Sequence, residues 1–248
     1  MYDVITSLGY NCEVSFRLEN YFGKINAMPF SWSFELNRDL FVEALDHIDD
    51  LFAGEVKLWD DQMICDVKYQ IKFHPRYDIL RKYGEPTEET YAECVEELRG
   101  RVGHLKEKYK RLLASDQSTL FIMKVEDKGE EDNIAYVKKV MEVLQKNYIS
   151  GRYTLAAVFE ERAATAAVKA LENGYADNCL RICTLKKFAP KKHTDTMGDT
   201  AGWKRILREL TEEEPDGYDK RLFQRRKHWL EEVLKKKTSG MFRMLRGR

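Results

Sequence analysis

Four short apolar runs, Val4–Leu8, Leu120–Val125, Tyr153–Phe159 and Cys179–Leu185, are rich in β-branched and aromatic residues and read as buried strands. Between them the spacing of apolar positions turns helical. From Thr90 to Leu113 these positions are Tyr91, Val95, Leu98, Val102, Leu105, Tyr109, Leu112 and Leu113. From Asn133 to Tyr148 they are Ile134, Val137, Val140, Met141 and Leu144, and an Ala-rich stretch from Ala163 to Asn173 closes on Gly174. Strands alternating with helices predict right-handed crossovers and a parallel sheet covered on both faces. The fold class expected is therefore α/β, a parallel, Rossmann-like three-layer sheet whose ligands gather beyond the carboxyl ends of the strands.

Residues 23–83 break this rhythm. Asp39 to Phe52 reads as an amphipathic helix. Cys65, Val67, Tyr69, Ile71 and Phe73 alternate with polar residues as in one strand with a wet face, with Lys57–Asp60 pairing to it as a hairpin. The stretch reads as a helix/β-hairpin insertion after the first βα unit, forming a pocket wall over the carboxyl edge. Residues 1–219 then make a single α/β domain, and 220–248 a basic amphipathic C-terminal helix and tail.

Composition changes the picture mainly at that tail. The net charge of +0 divides unevenly: from Lys220 to Arg248 eleven Lys/Arg face two Glu, about +9, which leaves about −9 on residues 1–219. A basic amphipathic segment suits an anionic membrane surface or an acidic partner. Residues 220–234 are expected to dock on the protein's own acidic body, leaving Met241–Arg248 for an outside contact. The acidic body opposes nucleic-acid backbone binding, so no nucleic-acid partner is expected. No apolar run approaches a membrane span, and five irregularly spaced cysteines form no disulfide framework. The expected location is the cytoplasm, with the tail able to hold the protein at the inner face of the membrane.

Cys12 carries the strongest chemical signal. Gly9 allows a sharp turn after the first strand, and Val14, Leu18, Tyr21 and Phe22 start a helix with Asn11 as its N-cap and Cys12 on its first turn. A helix N-terminus lowers a thiol pKa, and a strand–turn–helix corner is a frequent seat for a nucleophile. The alternative is a small buried hydrophobe. A base would come from His74, which ends the alternating strand, or its rival His193, which follows the fourth strand. Asp78, Asp195 or Asp199 could orient it. Amides from Gly9 to Glu13, aided by the side chains of Ser7 or Asn11, could form an oxyanion hole. Cys179 and Cys183 stand too far apart on one strand to grip a metal. With no C-x-x-C and no Walker A run, neither metal nor cofactor is expected.

Ser7-Leu8-Gly9-Tyr10-Asn11-Cys12, followed by Met28-Pro29-Phe30-Ser31-Trp32, resembles the S-L-G-x-x-C and P-F-D-W motifs of a bacterial family catalogued as papain-like cysteine peptidases. Phe73-His74 matches its F-x-H-type stretch, and Asp199 and Trp203 its late D-x-x-x-W segment. The likeness spans residues 5 to about 207; the first two motifs are its specific part, and Ser31 stands where the family usually has aspartate. The resemblance implies Cys12 as nucleophile and His74 as base of a hydrolase working through a thioester, with a peptide substrate. The layout is also similar to SGNH-type hydrolases and to capsule-polysaccharide acyltransferases. These imply esterase or acyltransferase chemistry on an acylated glycan, with coenzyme A as donor in the transferase case. Pro29, Phe30 and Trp32 would pack the pocket wall, with Trp203 nearby. A non-catalytic binding module is the remaining alternative.

Overall fold

In a computed structural model, residues 2–59, 63–75, 87–175, 179–190, 198–228 and 230–231 are described. Strands β1 (Val4–Ser7), β6 (Thr119–Lys124), β7 (Tyr153–Glu160) and β8 (Leu180–Leu185) form a four-stranded sheet in that order, parallel throughout. Alternation along the two central strands divides the core. Leu120, Ile122, Ala156 and Val158 meet Val14 and Leu18 of α1 (Glu13–Phe22) and Trp203, Ile206 and Leu207 of α6 (Thr200–Thr211). Phe121, Met123, Leu155, Ala157 and Phe159 face the other way, onto α3 (Glu88–Leu113) and α4 (Glu130–Asn147) through Val102, Tyr109, Val137 and Val140. Helices on both faces make this a three-layer α/β fold, and both faces being covered explains the unbroken apolar runs.

The insertion forms a second sheet. Strands β2 (Ser33–Glu35), β3 (Val56–Trp59), β4 (Met63–Asp66) and β5 (Ile71–Phe73) pair antiparallel in the order β2-β5-β4-β3. The single strand expected from Cys65 to Phe73 is instead a hairpin. Asp66 turns the chain: its carboxylate accepts from the amides of Phe52 at 2.7 Å and Tyr69 at 2.9 Å, and Gln70 takes a left-handed conformation (φ 52°). The expected helix from Asp39 to Phe52 is α2 (Arg38–Asp46), capped by Asn37, followed by a 3₁₀ turn at Ile48–Asp50 once His47 leaves helical geometry. The expected Ala-rich helix is also broken. It becomes α5 (Ala166–Lys169), which starts at a Thr165 cap and tightens to 3₁₀ over Ala170–Gly174. Only Val168 and Leu171 bury an apolar side chain between residues 166 and 174, too narrow a stripe to favour a long α-helix.

The last described helix, α7 (218–228), docks on the domain. Tyr218 and Leu222 join the α1–α6 cluster, and the Arg221 guanidinium donates to the carbonyls of Asn20 and Tyr21, both at 2.7 Å. Those carbonyls end α1, so the cation caps the negative pole of that helix. No described helix is long and apolar enough to cross a membrane.

Candidate functional site at the carboxyl edge of the parallel sheet

The corner after β1 is built from two consecutive left-handed residues, Gly9 (φ 72°) and Tyr10 (φ 66°). Only glycine fits the first: a Cβ there would fall inside the Glu35 carboxylate. Tyr10 has a Cβ and sits in a region that costs it on the order of 1 kcal/mol. Glu35 of β2 offsets this cost, accepting from the Tyr10 amide with its carboxylate and donating its own amide to the Tyr10 carbonyl at 3.2 Å.

Ser31 laces the same corner to the insertion. Its hydroxyl lies 3.3 Å from that of Thr6, accepts from the Met28 amide at 2.9 Å and donates to the Ser7 carbonyl at 3.4 Å; its carbonyl accepts from Ser15 of α1. Pro29 is buried, Phe30 packs edge-on to Phe41 and Tyr109, and Trp32 packs edge-on to Phe16 at 5.0 Å. These motif residues brace the turn, and none of them lines the cavity described below.

Cys12 stands at the cap position of α1, one residue later than the expected N-cap Asn11. The Asn11 side chain instead accepts from the Glu13 amide at 2.9 Å, a local turn. The thiol is 5 % exposed, and burial pushes its pKa up to about 12. This reverses the expected lowering, because loss of hydration for a thiolate outweighs the field of the helix end. Among the described residues Cys12 has no histidine as hydrogen-bond partner. His74 packs edge-on to Phe34 at 5.6 Å, and its carbonyl accepts from Arg101. Asp199 is the cap of α6, bound to the amides of Gly202 at 2.8 Å and Lys186 at 2.9 Å. Ser7 is fully buried, and its hydroxyl has no hydrogen-bond partner among the described residues. Of the amides expected to form an oxyanion hole, that of Tyr10 is taken by Glu35 and that of Glu13 by Asn11. His193, Asp78 and Asp195 lie outside the described residues.

Next to Cys12, Glu13 forms a buried ionic centre that sequence reading missed. One carboxylate oxygen accepts from the Trp203 indole and the Ala189 amide, both at 3.0 Å, with Arg17 at 3.5 Å; the other accepts from Lys124 at 2.8 Å. Glu13 and Arg17 are fully buried, and Lys124 is 4 % exposed, its ammonium 4.1 Å from the Phe188 ring centre and 5.4 Å from that of Tyr10. The signal was present: Lys124 is the one charge in the run Leu120–Val125, and a lysine in a buried strand needs a partner. Above this centre opens a cavity of about 490 Å³. It is lined by Tyr10, by Lys124, Glu126, Asp127 and Lys128, by Glu160 and Arg162, and by 187–190, that is, by the last residues of β6 and β7 and the segments that follow all four parallel strands.

Glu35 is the second missed group. Burial raises its carboxyl pKa to about 8, against the opposing pull of the Tyr10 amide and Arg38. The Tyr136 hydroxyl faces the same carboxyl without reaching hydrogen-bond geometry. Arg38 ties this cluster to the strand ends, donating to the Glu126 carbonyl and to Asn133 at 3.1 Å. Among the described residues no three His, Cys, Asp or Glu side chains are grouped to hold a metal ion. No family model, curated protein or solved structure matches this chain.

Proposed function

We propose that the chain is a binding domain for a small molecule with an anionic group beside a flat apolar one, held over the carboxyl edge of the parallel sheet. The observation that carries this reading is the cavity of about 490 Å³, lined by the last residues of β6 and β7 and by the segments that follow all four parallel strands. Its charges are mostly committed. Lys124 holds Glu13, Arg162 pairs with Glu160 at 3.0 Å, and Lys128 lies 3.7 Å from Glu126. Asp127 accepts from the Gly129 amide and from Asn133. Lys187 lines the cavity and has no carboxylate partner among the described residues, so one positive charge is left for a ligand. The rings of Tyr10 and Phe188 offer flat apolar contact. Phenyl phosphate is a simple probe of this chemistry. It should raise the thermal midpoint of the wild-type protein and leave that of Lys187→Glu unchanged. No shift, or an equal shift in both, contradicts the reading.

A second reading, acyl transfer through a thioester at Cys12, is favoured by one observation. The thiol stands at a corner of two consecutive left-handed residues, one of which, Tyr10, lines the cavity. On this reading Cys12 attacks an ester or peptide carbonyl while a base takes the thiol proton; the C–O or C–N bond breaks, the base protonates the departing alcohol or amine, and water or an acceptor alcohol then cleaves the thioester and restores the thiol. The substrate would be a peptide or an acylated glycan. Saturable coenzyme A binding would point to transfer, and free acid release to hydrolysis. Loss of turnover in His193→Ala but not His74→Ala would assign the base to His193.

A further inference from the structure

Helix α7, with the helical residues 230–231 beyond it, has two unlike faces. One is committed to the domain: Tyr218 and Leu222 are buried, Arg221 caps α1, and Arg225 pairs with Glu19 and lies 5.1 Å from the Phe16 ring centre. On the other, Phe223, Arg226, Lys227 and Leu230 fall at helical spacing along one stripe, and all four are exposed. Phe223 is 67 % and Leu230 52 % exposed, two of only four large hydrophobic side chains so exposed among the described residues. The segment that begins here carries about +9 of charge against about −9 on the rest of the chain.

We propose that this face of α7 docks on an anionic membrane surface, with Phe223 and Leu230 entering the headgroup boundary and Arg226 and Lys227 pairing with lipid charge. The residues themselves choose a bilayer over an acidic protein. A helix that fills a protein groove carries apolar anchors at all of i, i+3, i+4 and i+7, whereas here the two middle positions are cations. Apolar tips separated by basic residues suit a plane where hydrocarbon and anionic headgroups meet. The single sign of the tail suits an extended negative surface, and the acidic body, repelled by the same surface, confines contact to this end of the chain. The inference does not depend on what occupies the cavity.

The test is co-sedimentation of the full chain with phosphatidylcholine vesicles containing about one third phosphatidylserine, at low and high salt. Wild-type protein should bind these vesicles, leave pure phosphatidylcholine vesicles unbound and dissociate as salt rises. Phe223→Ser/Leu230→Ser and Arg226→Glu/Lys227→Glu should each weaken binding about tenfold or more while far-UV circular dichroism stays unchanged. All four positions are exposed, and the circular dichroism spectrum checks that each variant keeps its fold. Absence of binding, equal binding to neutral vesicles, or full binding by the Phe223→Ser/Leu230→Ser variant overturns the proposal. Retention on immobilised polyglutamate without vesicle binding would assign the face to an acidic protein and overturn it equally.

Discussion

Glu35 and Tyr10 hold each other through two hydrogen bonds, the carboxylate of Glu35 taking the Tyr10 amide while the Glu35 amide reaches the Tyr10 carbonyl at 3.2 Å. The clamp fastens the insertion to the turn that ends β1. It also buries a carboxyl whose ionised form is poorly hydrated, which is why its pKa rises to about 8. The folded protein therefore binds a proton more tightly than the unfolded chain does. The stability this gives is fully present below about pH 4.5, the ordinary value for the group, and is lost as pH climbs through about 8. The upper bound is on the order of 5 kcal/mol. Glu35→Gln keeps an acceptor for Tyr10 and removes the titration. The thermal midpoint of the wild type should fall relative to that of Glu35→Gln between pH 5 and pH 8.5. Parallel profiles would show that Glu35 does not titrate in this range.

Gly9 is tested by rescue. Gly9→Ala should destabilise the protein by about 3 kcal/mol or more, through the left-handed backbone and the collision with Glu35. A Cβ would meet Phe41 as well, and Glu35→Ala also loosens the Tyr10 clamp, so the comparison is a cycle: Gly9→Ala should cost less in a Glu35→Ala background than in the wild type. An equal cost in both backgrounds would mean that the carboxylate does not occupy the space above Gly9.

The sheet was legible where one physical rule acted alone. A continuous apolar run has one explanation when both faces are covered, so β1, β6, β7 and β8 could be placed from sequence. The insertion was harder because Asp66 overrides alternation: its bonds to Phe52 and Tyr69 bend a strand-like pattern into a hairpin. The site was legible as a corner but not as chemistry. Helix-end electrostatics points to a reactive Cys12, and only packing shows that burial dominates. Glu35 lies 25 residues from Tyr10, and Glu13 lies 111 residues from Lys124. Such long-range partners leave no local periodic trace.

The Glu13–Lys124 pair should behave as a buried ion pair. Lys124→Met leaves the Glu13 carboxylate with only the Trp203 indole, the Ala189 amide and Arg17, and should cost about 3–5 kcal/mol in urea unfolding. Glu13→Gln/Lys124→Met also takes the carboxylate away from the fully buried Arg17, so the coupling is read from the double-mutant cycle, in which the double variant should be more stable than the sum of the two single losses predicts. A double variant as unstable as the sum of the two single ones would argue against direct coupling.

Cys12 decides between the two functional readings. A covered thiol with a pKa near 12 should react with iodoacetamide at neutral pH more slowly than the partly exposed Cys179, as read by peptide mass spectrometry. Cys12→Ala should cost about 1 kcal/mol of stability and leave phenyl phosphate binding intact. Preferential alkylation of Cys12 would favour the thioester reading instead.

The claim that the carboxyl edge of the parallel sheet is the ligand site is tested most directly by backbone amide NMR during titration with phenyl phosphate. Shift changes should cluster at Tyr10, Lys124, Glu160, Lys187 and Phe188, the strand ends that line the cavity. Changes confined to the separate cleft between α4 and α5 at Ile134, Lys138, Leu171 and Tyr175, or no saturable change anywhere, would contradict it.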